Sequence, residues 1–304
     1  MSFSSKNFQV KLFAITLKIQ ERAVNLLMTV IQLPTYYYQQ FDADFNLDVP
    51  AEGYGGWKKT ILPLEIEKTA LAVMHAWDFG TREQYPGWHR AVEYIPRAYK
   101  ILEKEFPKIL EVVRKTKMNI VHIAPDECIC KDYPGYKQAE ALVKKYMSEK
   151  QNRPIRPNVG NKIFKELNDF RQSNVFPGRH NIEDIAKGWS KMTFAKEAKP
   201  LDDEIIVKDS DQLFAYCMEN DINHLIYIGF AIDGCLLVSP GGMVDMNRFG
   251  ILCSTIKQAV TAIENKETAR NEIGKQIALW RVALLFGFVY DADDFIEGIL
   301  TNTY

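Results

Sequence analysis

The chain has 304 residues, of which 47% are hydrophobic and 25% are charged. This composition is typical of a globular protein and excludes a disordered or fibrous chain. Its 38 basic and 39 acidic residues give a net charge of -1, so we expect no nucleic-acid partner. Lysine, glutamate and arginine interrupt the apolar stretch 8–33, and we therefore predict neither a membrane span nor a signal peptide.

The cysteines are five in number and scattered along the chain. An odd, sparse set does not fit the dense pairing of a small secreted scaffold, so we expect a reducing, cytoplasmic location. Cys128 and Cys130 form a Cys-x-Cys pair, but no second pair follows at zinc-ligand spacing. A structural zinc site is therefore not predicted.

In chain order, residues 1–68 are predicted to form an amphipathic helix and then an extended arm. From Thr69 onwards, short apolar runs alternate with helical patterns, which is typical of parallel strands joined by helices. We predict one domain over 69–304, with a three-layer α/β/α fold, a mostly parallel Rossmann-like sheet and an insertion at about 125–200. The predicted strands are 69–74, 118–124, 204–207, 225–229, 250–254 and an edge strand at 288–290, and the predicted helices are 95–115, 211–220 and 267–284.

Cys235 follows the predicted strand 225–229 at a point where the chain turns into a helix. Backbone N–H groups at such a turn stabilise negative charge, which favours a reactive thiolate. The alternative is a buried cysteine that packs as a small apolar residue. Position alone leaves both interpretations open.

Lys208 and His75 follow two other predicted strands. The carboxyl ends of parallel strands meet at one edge of a sheet, where ligands bind, so these side chains are expected near Cys235. There the ammonium of Lys208 would stabilise a thiolate, and a neutral His75 would accept the thiol proton. A solvated lysine and a structural histidine are the alternatives.

Three segments of the sequence resemble the isochorismatase-like cysteine hydrolases, a family that includes nicotinamidases and carbamoyl-amide hydrolases. They are 69–79, similar to the first strand of the family; 203–208, similar to the strand that ends in the catalytic lysine; and 229–235, similar to the segment that leads into the nucleophile. The resemblance spans roughly 69–292 and leaves the first 68 residues and the insertion outside it.

The resemblance implies that Cys235 attacks a carbonyl-type carbon and that Lys208 supports the thiolate. It also implies a cis peptide bond between Phe230 and Ala231, with the amides of Ala231 and Cys235 facing the oxyanion. We therefore expect hydrolysis of an amide-like C–N bond in a small-molecule substrate. Since such folds commonly form oligomers, we also expect a homo-oligomer.

The sequence departs from the family at the end of the first strand. His75 occupies the position of the catalytic aspartate, Asp78 follows three residues later, and Ile232 replaces a usual threonine. His75 could act as the base of a Cys-His pair, or Asp78 could take the role. The remaining alternative is a catalytically silent relative that only binds a ligand or a partner.

The first loop also holds candidates for substrate or metal binding. Trp77 and Asp78 are predicted to contact the substrate, and Trp88 and Tyr85 could wall the same pocket, with core packing as the alternative. Some relatives hold a metal, and the candidate ligands for one are His75, Asp78, His89 and His122. Their spacing does not match the Asp-x-His pattern of nicotinamidases, so we predict neither a metal nor another cofactor.

Overall fold

The computed structural model describes residues 29–126, 129–146 and 162–302. An eight-stranded sheet has the order β2-β1-β10-β9-β8-β3-β5-β7, and β4 pairs with β6 in a separate two-stranded sheet. The strands are β1 Val30–Gln39, β2 Gly56–Glu65, β3 Thr69–Met74, β4 Trp77–Asp78, β5 Asn119–Ile123, β6 Thr193–Phe194, β7 Ile205–Val207, β8 His224–Phe230, β9 Leu252–Thr261 and β10 Val289–Tyr290.

Helices connect the strands and cover both faces of the large sheet. Within the described ranges, no helix is both long and apolar enough to cross a membrane. The α-helices are α1 Pro86–Ala91, α2 Ile95–Lys104, α3 Phe106–Arg114, α4 Pro134–Tyr146, α5 Lys162–Asn174, α6 Ile182–Trp189, α7 Ser210–Glu219, α8 Cys235–Val238, α9 Met243–Arg248, α10 Ile273–Leu285 and α11 Ala292–Asn302.

The large sheet separates two apolar cores, one on each face. Strand β3 is buried along its whole length, and its side chains alternate between the cores, because successive residues of a strand point to opposite faces. Leu71 and Val73 pack with α2, α3 and α11, whereas Ala70, Ala72 and Met74 pack with α7, α9 and α10. This arrangement confirms the predicted three-layer α/β/α fold.

The central part of the sheet is parallel, as predicted. Strands β10, β9, β8, β3, β5 and β7 pair in parallel with their neighbours, while β1 is antiparallel to both β10 and β2. Parallel strands buried on both faces are typical of sheets covered by helices. The antiparallel hairpin extends this parallel sheet at one edge.

The first part of the chain differs from the predicted separate arm. Residues 30–65 form the β1–β2 hairpin of the main sheet, and Thr35 pairs with Tyr290. Strand β10 is therefore not the edge strand that 288–290 was predicted to be, because the hairpin covers its outer side. Most of the predicted N-terminal helix lies outside the described residues. Only its last few positions fall within them.

Most predicted boundaries agree with the structure, with two informative differences. The segment 95–115 forms two helices that meet at Glu105, because Pro107 is tolerated in the first turn of a helix but not inside one. Strand β9 continues to Thr261, seven residues beyond the predicted end at Ser254.

The insertion at 125–200 supplies helices rather than a second core. Helix α6 packs against α1, and the carboxylate of Asp184 accepts a hydrogen bond of 2.7 Å from the amide of Gly87. A Cβ at Gly188 would lie 1.9 Å from the ring of Trp88, so the absence of a side chain there lets the indole lie against the backbone of α6. These contacts place α6 over the carboxyl edge of the sheet.

Gly229, in the middle of the sheet, provides a test of this packing. Its φ is 130°, and an added Cβ would lie 1.8 Å from the carbonyl oxygen of Met74 on the neighbouring strand. We expect Gly229→Ala to lower the free energy of unfolding by about 3 kcal/mol or more, through strain and steric overlap.

Urea unfolding followed by circular dichroism measures this change. Gly250→Ala is the matched control, because Gly250 has a φ of 86° but nothing within 4 Å of an added Cβ. Gly250→Ala should lower the free energy of unfolding only through backbone strain, by about 1 to 2 kcal/mol. Equal losses in the two variants would contradict the close approach of β8 to β3.

Candidate active site

A cavity of about 670 Å³ opens at the carboxyl edge of the parallel strands, and Cys235, His75 and Lys208 all line it. Each of these residues follows a strand of the order β8-β3-β5-β7. The parallel pairing therefore brings to one cavity a thiol, an imidazole and an ammonium group that are far apart in the sequence. A volume in this range suits a small-molecule ligand.

Cys235 is half-buried and is the first residue of α8. A helix begins at this position, as the sequence indicated, but it is a single turn of four residues, so its dipole is small. The neighbouring amides of Ile232, Gly234 and Leu236 all donate to backbone carbonyls. The amides of Ala231 and Cys235 donate to no acceptor within the described chain.

The peptide bond between Phe230 and Ala231 is cis, at the position that the resemblance implies. The ring of Phe230 is buried and stacks on Phe106 at 5.9 Å. Ala231 therefore follows an anchored side chain and begins the turn that leads to Cys235. The two amides without acceptors, those of Ala231 and Cys235, lie in this turn.

His75 is buried and strained. Its φ is 55°, a conformation that costs a non-glycine residue about 1 kcal/mol or more. Its backbone N–H donates to the carbonyl of Ile123 at 3.1 Å, and its Nδ1 has no hydrogen-bond partner in the described part of the chain. Burial lowers the pKa of the imidazole to about 3. The side chain at the edge of the cavity is therefore neutral at physiological pH.

Lys208 directly follows β7 and also lines the cavity. Its backbone N–H donates to the side chain of Gln212 at 2.8 Å, which fixes the turn into α7. Its Nζ lies 5.7 Å from the ring centroid of Tyr136 on α4, a cation–π contact. The ammonium is therefore held at the cavity by two helices as well as by the strand.

Six aromatic side chains form part of the remaining wall. Trp77 meets Trp189 edge-on at 5.5 Å, and Trp189 stacks on Trp88 at 6.4 Å. The indole Nε1 of Trp77 is buried without a hydrogen-bond partner among the described residues. Such walls favour a ligand with a flat or bulky apolar group. The aromatic residues of the wall are Trp77, Phe79, Trp88, Tyr94, Phe176 and Trp189.

Asp78, which the sequence analysis placed beside the substrate together with Trp77, does not line this cavity. The two residues form β4, whose side chains point to opposite sides, so Trp77 is buried and Asp78 is exposed. The carboxylate accepts hydrogen bonds from the hydroxyl of Tyr99 at 2.7 Å and the amide of Gly80 at 2.9 Å. In the described residues, no aspartate or glutamate lines the cavity.

The candidate metal ligands do not form one cluster within the described residues. His89 contacts the carbonyl of Gly80 at 3.0 Å, and the buried His122 contacts the carboxylate of Glu204 at 2.8 Å. That carboxylate also pairs with Arg114 at 2.7 Å. Over the ranges that the structure describes, no three histidine, cysteine or acidic side chains are grouped to hold a metal ion. These residues therefore do not fit a metal site.

The sequence analysis missed four of the six aromatic residues of the wall, which are Phe79, Tyr94, Phe176 and Trp189. Phe176 and Trp189 belong to the insertion, whose path over the sheet has no signal in the sequence. Tyr94 directly precedes α2, in a segment whose amphipathic pattern predicts a helix. The usual role of an aromatic residue in such a segment is core packing. Tyr85, which was considered a wall residue, packs against the core beside Trp88 instead.

The fold and the cavity define this protein as an α/β protein with a thiol-lined pocket at the carboxyl edge of its sheet. No protein-family model matches the sequence, and no curated protein matches it either. Solved structures that are similar to it include members of the family that the sequence resembles.

A cysteine hydrolase from Pseudomonas syringae pv. phaseolicola is 13% identical, with 80% of this chain and 97% of that chain covered and a TM-score of 0.43. An isochorismatase-like hydrolase from Alkaliphilus metalliredigens is 17% identical, with 76% and 97% covered and a TM-score of 0.43. An N-carbamoylsarcosine amidase from Thermoplasma acidophilum is 14% identical, with 74% and 97% covered and a TM-score of 0.38.

The buried histidines predict how stability depends on pH. Burial lowers the pKa of His75 to about 3 and that of His224 to about 4, whereas an unfolded histidine takes up a proton near about pH 6.5. Below that pH the unfolded state binds more protons than the folded state, so the free energy of unfolding falls as the pH decreases towards about 4.

Urea unfolding between roughly pH 7 and pH 4.5 measures this fall. We expect it to be smaller in His75→Gln and in His224→Gln, since each variant removes one group that protonates only on unfolding. His180→Gln is the matched control, because His180 is exposed in the folded chain and should leave the slope unchanged. An unaltered slope in both buried variants would contradict the neutral state assigned to these imidazoles.

Proposed function

We propose that this protein is a cysteine hydrolase of the isochorismatase-like type that cleaves an amide-like C–N bond in a small molecule. The observation that carries the proposal is that the thiol of Cys235 faces the same cavity as His75 and Lys208. A nucleophile, a proton acceptor and a cation are the groups that covalent catalysis by cysteine requires.

In the proposed reaction the thiol proton passes to neutral His75 as the sulfur attacks the carbonyl carbon. A buried imidazolium is unfavourable alone, but here it forms together with a thiolate whose charge compensates it. The ammonium of Lys208 supports the same negative charge. The backbone N–H groups of Ala231 and Cys235, which have no acceptor in the described chain, are available to the developing oxyanion.

The C–N bond then breaks as the imidazolium of His75 gives its proton to the leaving nitrogen, and a thioester joins the acyl group to Cys235. Water attacks the thioester in the second step, and the C–S bond breaks to release the carboxylic acid and the thiol. The aromatic wall favours substrates with an apolar acyl group, because Trp77, Trp88 and Trp189 offer it a dry surface. The cysteine-dependent step distinguishes this enzyme from a silent relative that only binds a ligand.

Alkylation by iodoacetamide tests the reactivity of Cys235. We expect rapid, pH-dependent modification with an apparent pKa below about 7.5, measured by peptide mapping in a mass spectrometer. Cys217 and Cys253 serve as references in the same sample, since burial raises the pKa of both thiols, that of Cys217 to about 12. Modification of Cys235 as slow as theirs would contradict the proposal.

Turnover is measured with a panel of small amides that carry apolar acyl groups. Wild-type protein should release the amine and show a transient mass increase equal to the acyl group on Cys235, and Cys235→Ser should do neither. Amine release that persists in Cys235→Ser would also contradict the covalent mechanism.

Lys208 provides a further prediction. Because a nearby cation favours the thiolate, Lys208→Met should raise the apparent pKa for alkylation of Cys235 by about one unit or more. Lys208→Arg is the matched control, since it keeps the positive charge and should keep the pH profile close to that of the wild type. Identical profiles in all three proteins would remove Lys208 from the mechanism.

A further inference from the structure

His75 lacks the polar partner that usually accompanies a catalytic histidine. Its Nδ1 is buried without a hydrogen-bond partner in the described part of the chain, whereas a histidine base normally donates from its second nitrogen to a carboxylate or a carbonyl. The titratable side chains that line the cavity with it are those of Cys235, Lys208 and Tyr94, and none of the described lining residues is a carboxylate. Burial lowers the pKa of the imidazole, and no charged group among the described residues adds to this shift.

The indole of Trp77 lies against the imidazole of His75. The two ring centroids are 4.7 Å apart, and the ring planes are inclined by 38°, an arrangement closer to stacked than to edge-on. Both residues line the cavity, yet only 6% of His75 and 7% of Trp77 are exposed. The contact between the two rings is therefore shielded from water.

The insertion holds the indole of Trp77 in this place. The backbone of Trp77 pairs with that of Phe194 in the β4–β6 sheet, and next to this pair the amide of Ala195 donates to the carbonyl of Ala76 at 3.0 Å. The ring itself meets Trp189 edge-on at 5.5 Å. Because both its backbone and its ring have fixed neighbours, the indole cannot turn away from His75 without the loss of these contacts.

The face of an indole carries negative potential and attracts a cation within about 6 Å of the ring centroid, most strongly where water is excluded. A neutral imidazole gains little from this potential, whereas an imidazolium is stabilised by it. The attraction is therefore realised mainly when the thiol proton has moved to the histidine, which is the state that catalysis needs.

We infer that the indole face of Trp77 stabilises the imidazolium of His75, an inference that rests on the proposed function. Trp77 is a positioning residue in this role. The proton moves from the sulfur of Cys235 to the imidazole and then to the leaving nitrogen, and the indole exchanges neither a proton nor an electron. An aromatic ring thus supplies part of the support that a carboxylate gives to the histidine of a catalytic triad.

Fluorinated tryptophans at position 77 test this role, because each added fluorine withdraws charge from the ring face while the shape of the indole is nearly kept. The readout is the alkylation of Cys235 by iodoacetamide, which requires no known substrate. From tryptophan to trifluorotryptophan we expect the rate at neutral pH to fall on the order of tenfold and the apparent pKa for alkylation to rise. A rate and a pH profile that stay constant along the series would overturn the inference.

The same fluorinated series at Trp280 is the matched control. Trp280 is outside the cavity, and its Nε1 donates to Gln40 at 2.8 Å. Fluorination there should leave the alkylation of Cys235 unchanged. An equal decline in the two series would also overturn the inference, since it would show an effect of fluorine on the fold and not on His75.

The His75→Gln background separates an effect on the imidazolium from an effect on another group. In this background the alkylation of Cys235 should already be slower, and fluorination at position 77 should change it no further, because the coupling between the two residues has been removed. A decline that persists would show that the indole acts on the thiolate or on the ammonium of Lys208, and would overturn the inference.

Two ordinary substitutions replace the series if circular dichroism shows that a fluorinated indole prevents folding. Trp77→Phe keeps a weaker aromatic face, and Trp77→Leu keeps none. The apparent pKa for alkylation should therefore rise from the wild type to Trp77→Phe and again to Trp77→Leu. Equal values in the two folded variants would overturn the inference.

The two proposals fail in different ways. If Cys235→Ser retains amide hydrolysis, or if Cys235 of the wild type is alkylated as slowly as Cys217, the proposed function is wrong and the role of Trp77 fails with it. If Cys235→Ser is inactive and wild-type Cys235 reacts rapidly, but fluorination at position 77 changes nothing, only the inference about Trp77 is wrong.

Discussion

The parallel pairing of β8, β3, β5 and β7 is the constraint on which the rest of the site depends. Its hydrogen-bond pattern continues past the ends of the strands: the amide of His75 donates to Ile123 at 3.1 Å, and the amide of Ala124 donates to Val207 at 2.8 Å. These bonds fix the first residue of each loop to its neighbouring strand. Cys235, His75 and Lys208 reach one cavity for that reason.

Burial shifts the pKa values of two groups at the site in opposite directions, lowering that of His75 and raising that of Tyr94. For His75 and Tyr94, removal from water favours the neutral form, so the imidazole is deprotonated and the phenol protonated in the resting protein. The thiol of Cys235 is only half-buried and lines the same cavity as the ammonium of Lys208. Groups with such different proton affinities around one apolar space are typical of sites that move protons.

The insertion completes the cavity instead of forming a domain of its own. Trp189 from α6 packs on Trp77 and Trp88 of the first loop, and this packing depends on the close approach at Gly188. The wall that would select the substrate is thus assembled from two segments about 100 residues apart. A change on α6 can alter what the pocket accepts while the strand-end groups stay in place.

The sequence by itself determined the fold class and the ends of the strands β3, β5, β7 and β8, because apolar runs such as 69–74 and helical spacing are local patterns. It also indicated Cys235, His75 and Lys208, since strand ends of a parallel sheet share an edge. Only the tertiary structure decided that Asp78 points away, that the β1–β2 hairpin covers β10, and that Tyr94, Phe176 and Trp189 complete the wall. Those outcomes depend on contacts between segments distant in the chain, which no local pattern encodes.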